Sequence, residues 1–253
     1  MAVLMLGAVS DSRDERGQWP LPPPRGPWPE TGTFSAFLCD SKDQHERCRD
    51  GGSATAAERQ EVEKVLAGMP EIKDFRFESR EDAFANMRTI PELAAVLKPD
   101  DLSESYRGVL RPGDWRSVLK KLESLEGISN VFAFRDSFWW GKADISIDFC
   151  ADVNAFVKHC EGRGQATEAE KQAVLDRIRE VRGIEKIYVE DRPHAAKVHA
   201  HAWWKAPPGS GGRLDEIGEA FYVKLAEPGA VARIKGSVEG MAGVGRVVEV
   251  ATS

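Results

Sequence analysis

The chain has 253 residues, 42% hydrophobic and 30% charged, an ordinary globular composition with room for one large domain or two small ones. Its 35 basic and 41 acidic residues leave a net charge of −6, which argues against nucleic-acid binding and against a polybasic membrane-surface anchor. No run reaches the roughly 18 apolar residues that a bilayer-spanning helix needs.

Ala2 to Val9 is apolar but short, and it lacks the positively charged start of a signal peptide. It reads either as a disordered terminus or as the last part of an anchor helix, with a membrane tether upstream of residue 1. Pro20, Pro22, Pro23, Pro24, Pro27 and Pro29 follow, a density that forces extended chain and excludes helix. Residues 1–32 are therefore expected to be an apolar start plus a Pro-rich disordered linker, a stiff spacer with Trp19 and Trp28 near a membrane interface.

A strand is expected before Cys39, then a polar loop, Asp40 to Arg47, closing at Cys48. Thr55-x-x-Glu58 is a capping box, and Val62, Val65, Leu66 and Met69 behind it carry the stripe of an amphipathic helix. Ile72 to Phe77 alternates poorly, but it reads as a strand with the help of the second copy described below. Ser79 caps a second helix through Ala83, Phe84 and Met87, which opens an insert. Tyr106 to Leu110 is strand-like, Trp115 to Leu125 an amphipathic helix, Gly127 its stop, and Ile128 to Phe134 a last strand.

The same order then recurs. At a shift of 112 Cys48 falls on Cys160, and the register holds to Ala83 over Ala195 with about a third of positions identical. Thr167-x-x-Glu170 repeats the capping box, and Glu190 and Arg192 lie under Glu78 and Arg80. At a shift of 115 Glu104-Ser105-Tyr106 falls on Glu219-Ala220-Phe221, and at 116 Trp115, Val118, Leu122 and Gly127 fall on Val231, Ile234, Val238 and Gly243. Matching apolar spacing over both halves indicates a tandem duplication. Each copy reads β-α-β, insert, β-α-β, so the fold class expected is α+β: two tandem ferredoxin-like lobes with antiparallel sheets, at 33–136 and 137–253. The insert is expected to be helical in the first copy and broken by Gly and Pro in the second.

Cys39 and Cys48, like Cys150 and Cys160, each flank the same strand-to-loop step. Neither pair has the short spacing of a zinc site. Four cysteines allow three connectivities or none; the duplication favours the two local bridges. Each would contribute roughly 2.5–3 kcal/mol and place the domains in an oxidising compartment.

Phe37-Leu38-Cys39, the loop to Cys48, Thr55-x-x-Glu58-Arg59, Phe77-Glu78-Ser79-Arg80-Glu81-Asp82-Ala83-Phe84, Glu104-Ser105-Tyr106-Arg107-x-Val109-Leu110 and Leu125-Glu126-Gly127-Ile128 together resemble the extracellular domain of the FtsX-type cell-division permease, in its actinobacterial, disulfide-closed form. Ser103 stands where that pattern has proline, and Gly108 interrupts the strand. The second copy matches by way of the repeat, through Glu190 to Ala195 and Glu219 to Leu225. The resemblance implies a domain outside the membrane that binds a peptidoglycan hydrolase, or its coiled-coil activator, through an exposed hydrophobic insert. Two such domains stand here, and no membrane helices follow in this sequence. ATP-coupled transmission is therefore not carried over; fold, compartment and protein binding are.

Catalytic chemistry finds no foothold. There is no Walker loop and no nucleophile–base pair, Asp100-Asp101 implies no apolar pocket, and Gly209 to Gly212 reads as a loop. His159, His194, His199 and His201 lack partners at metal spacing and read as surface residues. No cofactor is expected. The insert diverges most between the copies, where a shared core would match, which places partner recognition on Phe84, Met87, Ile90, Leu93 and Leu97 and on Trp203 and Trp204. The alternative is that these residues, with Trp139 and Trp140, complete the cores. The function expected is a non-enzymatic, extracytoplasmic protein-binding module, secreted or tethered, for a peptidoglycan hydrolase or another envelope or division protein. A regulatory decoy or structural envelope protein is the first alternative, and an unrecognised envelope enzyme the second.

Overall fold

The computed structural model describes residues 15–42, 45–48, 52–88, 96–151, 159–203 and 218–250. Ile90, Leu93 and Trp204 lie outside the described residues, as do Gly209 to Gly212. The chain divides into two compact units. The first takes 27–138 and, from the second insert, residues from His199 onward; the second takes the stretch up to Gly26 with 139–198 and the C-terminal part.

The first unit runs β1 (Gly32–Leu38), α1 (Ala56–Ala67), β2 (Ile72–Glu78), α2 (Arg80–Met87), β3 (Ser105–Leu110), α3 (Arg116–Glu123) and β4 (Ile128–Arg135). Its antiparallel sheet has the order β2-β3-β1-β4, which is the ferredoxin-like arrangement. Alternate residues of β1 explain the layering: Phe34, Ala36 and Leu38 are buried with Val62, Leu66, Val118, Leu119 and Leu122 of α1 and α3. The second unit runs β5 (Ile145–Phe149), α4 (Glu168–Arg179), β6 (Ile184–Glu190), α5 (Arg192–Ala202, counted with this unit up to Val198), β7 (Ala220–Leu225), α6 (Ala230–Val238) and β8 (Val244–Glu249). Its sheet order, β6-β7-β5-β8, is the same, and Ile147, Val174, Ile178, Ile234 and Val238 are among its buried core.

The lobes agree in irregular details as well. Both capping boxes form: Thr55 N–H donates to Glu58 at 2.6 Å and Thr167 N–H to Glu170 at 2.8 Å, bonds that hold both carboxyls below the usual range. The poor alternation of β2 has a cause, a register shift between Ile72 and Asp74 that recurs between Ile184 and Lys186. Gly127 (φ +77°) and Gly243 (φ +85°) take the left-handed turn before the last strand, and each carbonyl accepts from the first cysteine N–H of its lobe at 2.8 Å. Both local disulfides are present, Cys39–Cys48 and Cys150–Cys160.

Three expectations need amending. Gly108 does not interrupt β3, which is continuous; a Cβ there would stand 2.4 Å from the Phe34 ring, so the absent side chain makes room for a core aromatic. The second insert opens with a helix that tolerates Pro193, the second residue of α5, where a missing N–H costs nothing, while the Gly and Pro expected to break the insert further on lie outside the described residues. The Pro-rich segment is more than a spacer at its start: Trp19 is 4% exposed within the second unit's core. Leu21 bridges β6 there, and its N–H donates to the Ile187 carbonyl at 2.8 Å.

Candidate protein-binding site

The first insert is held to its sheet by a buried carboxylate. Glu78, at the end of β2, is 1% exposed; it forms an ion pair with Arg107, whose Nε stands at 2.6 Å, and accepts hydrogen bonds from Asn86 Nδ2 at 2.8 Å and Ser105 Oγ at 3.2 Å. One side chain thereby ties β2, β3 and the last turn of α2 together. The helix is fixed at its other end by a Ser79–Asp82 capping box and by an ion pair from Arg80 to Asp40, beside the disulfide. Arg59 of α1 pairs with Glu104 at 2.6 Å. Glu78, Arg80, Glu104, Ser105 and Arg107 all stand in the motif that carries the family resemblance, and their role is to position this insert. Asn86 and Asp40 carry no such signal in the sequence.

Held this way, α2 keeps Ala83 buried and leaves Phe84 and Met87 half-buried. After the undescribed stretch, Val96 is 71% exposed and Leu97 half-buried. The 3-10 turn Pro99–Asp101 that follows lies against α2. Trp203 is half-buried in the first unit, edge-on to Phe134 with ring centroids 4.8 Å apart. It ends an aromatic row on the sheet face away from the core, made by Phe37, Phe132 and Phe134. Sequence reading passed over this row, although the alternation of β1 and β4 contains it.

Residues 33–137 match the family model of the FtsX extracellular domain. No curated protein matches the chain. The matched stretch, similar to the extracellular domain of a cell-division protein, holds the first sheet from Thr33 onward, the Cys39–Cys48 bridge and α2. Disulfides at this density fit an oxidising, extracytoplasmic setting. Among the described residues no helix is long and apolar enough to cross a membrane, and no group of three or more His, Cys, Asp or Glu is placed to hold a metal.

The second lobe has a buried carboxylate at the same register. Glu190 is 5% exposed and accepts from Trp139 Nε1 at 2.7 Å, with His194 Nδ1 at 2.8 Å. His194 is thus no free surface residue, and neither is His201, whose Nε2 meets the Pro29 carbonyl. Trp139 stacks on Tyr222 at 4.0 Å, which places it in the second unit's structure. Trp140 is 39% exposed. Burial holds the Glu190 carboxyl above its usual range, against the opposing bonds from Trp139, His194 and Tyr222.

A carboxyl raised on folding takes its proton more readily in the folded state. Its contribution is therefore full below the ordinary value of 4.5 and is lost as pH rises through the window above it. Glu170 in the same unit, lowered by Thr167, works in the opposite sense below that value. The second unit is expected to lose stability with rising pH above 4.5, and Glu190→Gln to flatten the slope. Urea midpoints across the acidic range measure this, and a slope unchanged by the substitution would overturn it.

Proposed function

We propose that the chain is a non-enzymatic, extracytoplasmic protein-binding module of the cell envelope, whose partner is a peptidoglycan hydrolase or another division protein. Both lobes descend from one duplicated FtsX-type extracellular unit in this reading, and the first insert is the primary contact, with Trp203 and Trp204 contributing from the second. The observation that carries it is the apolar surface left open on an insert that is otherwise firmly anchored. Phe84, Met87 and Leu97 are half-buried and Val96 is 71% exposed, while Glu78–Asn86 and Asp40–Arg80 contacts fix α2, which carries the first two. Rigid presentation of apolar side chains lowers the entropy cost of binding, and such patches mark protein contacts.

The triple change Phe84→Ser, Met87→Ser and Leu97→Ser tests this. Wild-type chain immobilised on a resin is expected to enrich a peptidoglycan hydrolase or division protein from solubilised envelope. The variant is expected to lose at least about thirtyfold in affinity, the loss of one or more central anchors, with a melting temperature within a few degrees. Undiminished capture by the folded variant would refute the assignment.

A further inference from the structure

The outer edge of the second sheet is covered by the chain itself. β6 is an edge strand, and Leu21 lies parallel to it: Leu21 N–H donates to the Ile187 carbonyl and Val189 N–H to the Leu21 carbonyl, each at 2.8 Å. Two residues earlier, Trp19 enters the core that includes Ile187. This is strand addition, with main-chain bonds fixing the segment and alternate side chains filling pockets.

β2 holds the identical place in the first lobe. Phe75 pairs with Gly108 and Phe77 with Tyr106, just as Ile187 pairs with Val223 and Val189 with Phe221. The Phe75 carbonyl and the Phe77 N–H therefore face outward, at the positions where Leu21 sits in the other lobe. No described residue supplies them with a backbone partner. Phe77, at the position of the half-buried Val189, is 40% exposed. Lys73 and Arg76 on the same strand are exposed and make no ion pair among the described residues, against one exposed carboxylate, Asp74. An edge that carries two aromatic side chains and has no backbone partner among the described residues is a template for another chain.

We propose that β2 takes up an extended segment of a partner protein, parallel to it, through the Phe75 carbonyl and the Phe77 N–H. The segment carries apolar side chains at alternate positions, in the manner of Trp19 and Leu21, with an acidic residue to meet Lys73 or Arg76. This surface is separate from the insert proposed above, so the two readings can fail independently.

The probe is a blocked synthetic peptide with the sequence of residues 17–23, Gly-Gln-Trp-Pro-Leu-Pro-Pro, titrated into the full oxidised chain and followed by amide NMR. Saturable shifts are expected from Lys73 to Glu78, largest at the Phe77 amide, with hydrogen exchange there slowed. A peptide N-methylated at the leucine leaves the protein untouched and is expected to bind roughly tenfold more weakly or worse, having lost one main-chain bond. The insert triple variant is expected to bind the peptide unchanged. No saturable shift at millimolar peptide, shifts confined to β6 or to α2, or equal binding of the N-methylated peptide would overturn the proposal. Sedimentation is expected to show a monomer; a dimer dispersed by the blocked peptide would assign the edge to a second copy and overturn the choice of a partner protein.

Discussion

Glu78→Gln is expected to destabilise the first lobe by about 2–3 kcal/mol, whereas Glu190→Gln is expected to stay within about 1 kcal/mol of neutral. The two carboxylates occupy one register position, yet their surroundings differ in charge. Around Glu78 stand the Arg107 cation and two donors, the Asn86 amide and the Ser105 hydroxyl. An amide in its place turns an N–H group towards at least one donor and removes the counter-charge of Arg107. The loss falls short of the roughly 3–5 kcal/mol for a fully buried pair, because the Arg107 side chain is 35% exposed and can turn to water. In the second lobe Tyr222 pairs with Val189's neighbour Tyr188 at the place where Arg107 meets Arg76 in the first. No guanidinium then loses its counter-charge, and a glutamine oxygen can still accept from Trp139. Lobe-resolved hydrogen exchange on the full chain distinguishes the two. Equal losses at both sites would show that Arg107 is irrelevant to the anchor. Because Glu78 holds the end of α2 through Asn86, Glu78→Gln is also expected to speed exchange in Arg80–Met87.

Trp19→Ala is expected to cost the second unit about 3–5 kcal/mol, the range for truncating a core aromatic, and to lower its melting temperature by more than about 10 °C. Trp19 is 4% exposed among Ile145, Ile178, Ile184 and Ile187, and Arg179 donates to its carbonyl. Its removal opens a cavity and releases Leu21 from β6 in the same stroke. Scanning calorimetry measures the effect, with the transition of the first unit expected to stay in place. A segment that served only as a spacer would leave both transitions unmoved.

How much of this was legible beforehand depends on the range of the interaction. Thr55 with Glu58 and Thr167 with Glu170 are three residues apart, so their capping boxes stand in the sequence as written. Apolar spacing in α1 and α3 and their counterparts announces two helices over a sheet in each copy. The repeated sequence pattern supplied the rest of the order, because two noisy stretches carry one signal. The site was half legible. The motif around Glu78 and Glu104 to Arg107 pointed to the region whose anchoring the structure shows, but only as a resemblance. That Glu78 meets Arg107 and Ser105 follows from β2 lying beside β3, a pairing between distant segments.

Sequence by itself determined what local chemistry and period control: the β-α-β halves, the capped helix starts, the glycine turns at Gly127 and Gly243, and the cysteines close enough to bridge within each lobe. Tertiary structure alone decided where Trp19, Leu21 and Trp203 go. Nothing periodic marks a tryptophan among prolines as core, since apolar burial is non-directional and accepts any side chain that fits. Leu21 could pair with any open strand edge; it lies on β6, where Trp19 beside it fills the core next to Ile187. The equivalent edge at Phe75 and Phe77 stays open because the described chain brings no segment to it, a fact that exists only once both sheets are formed.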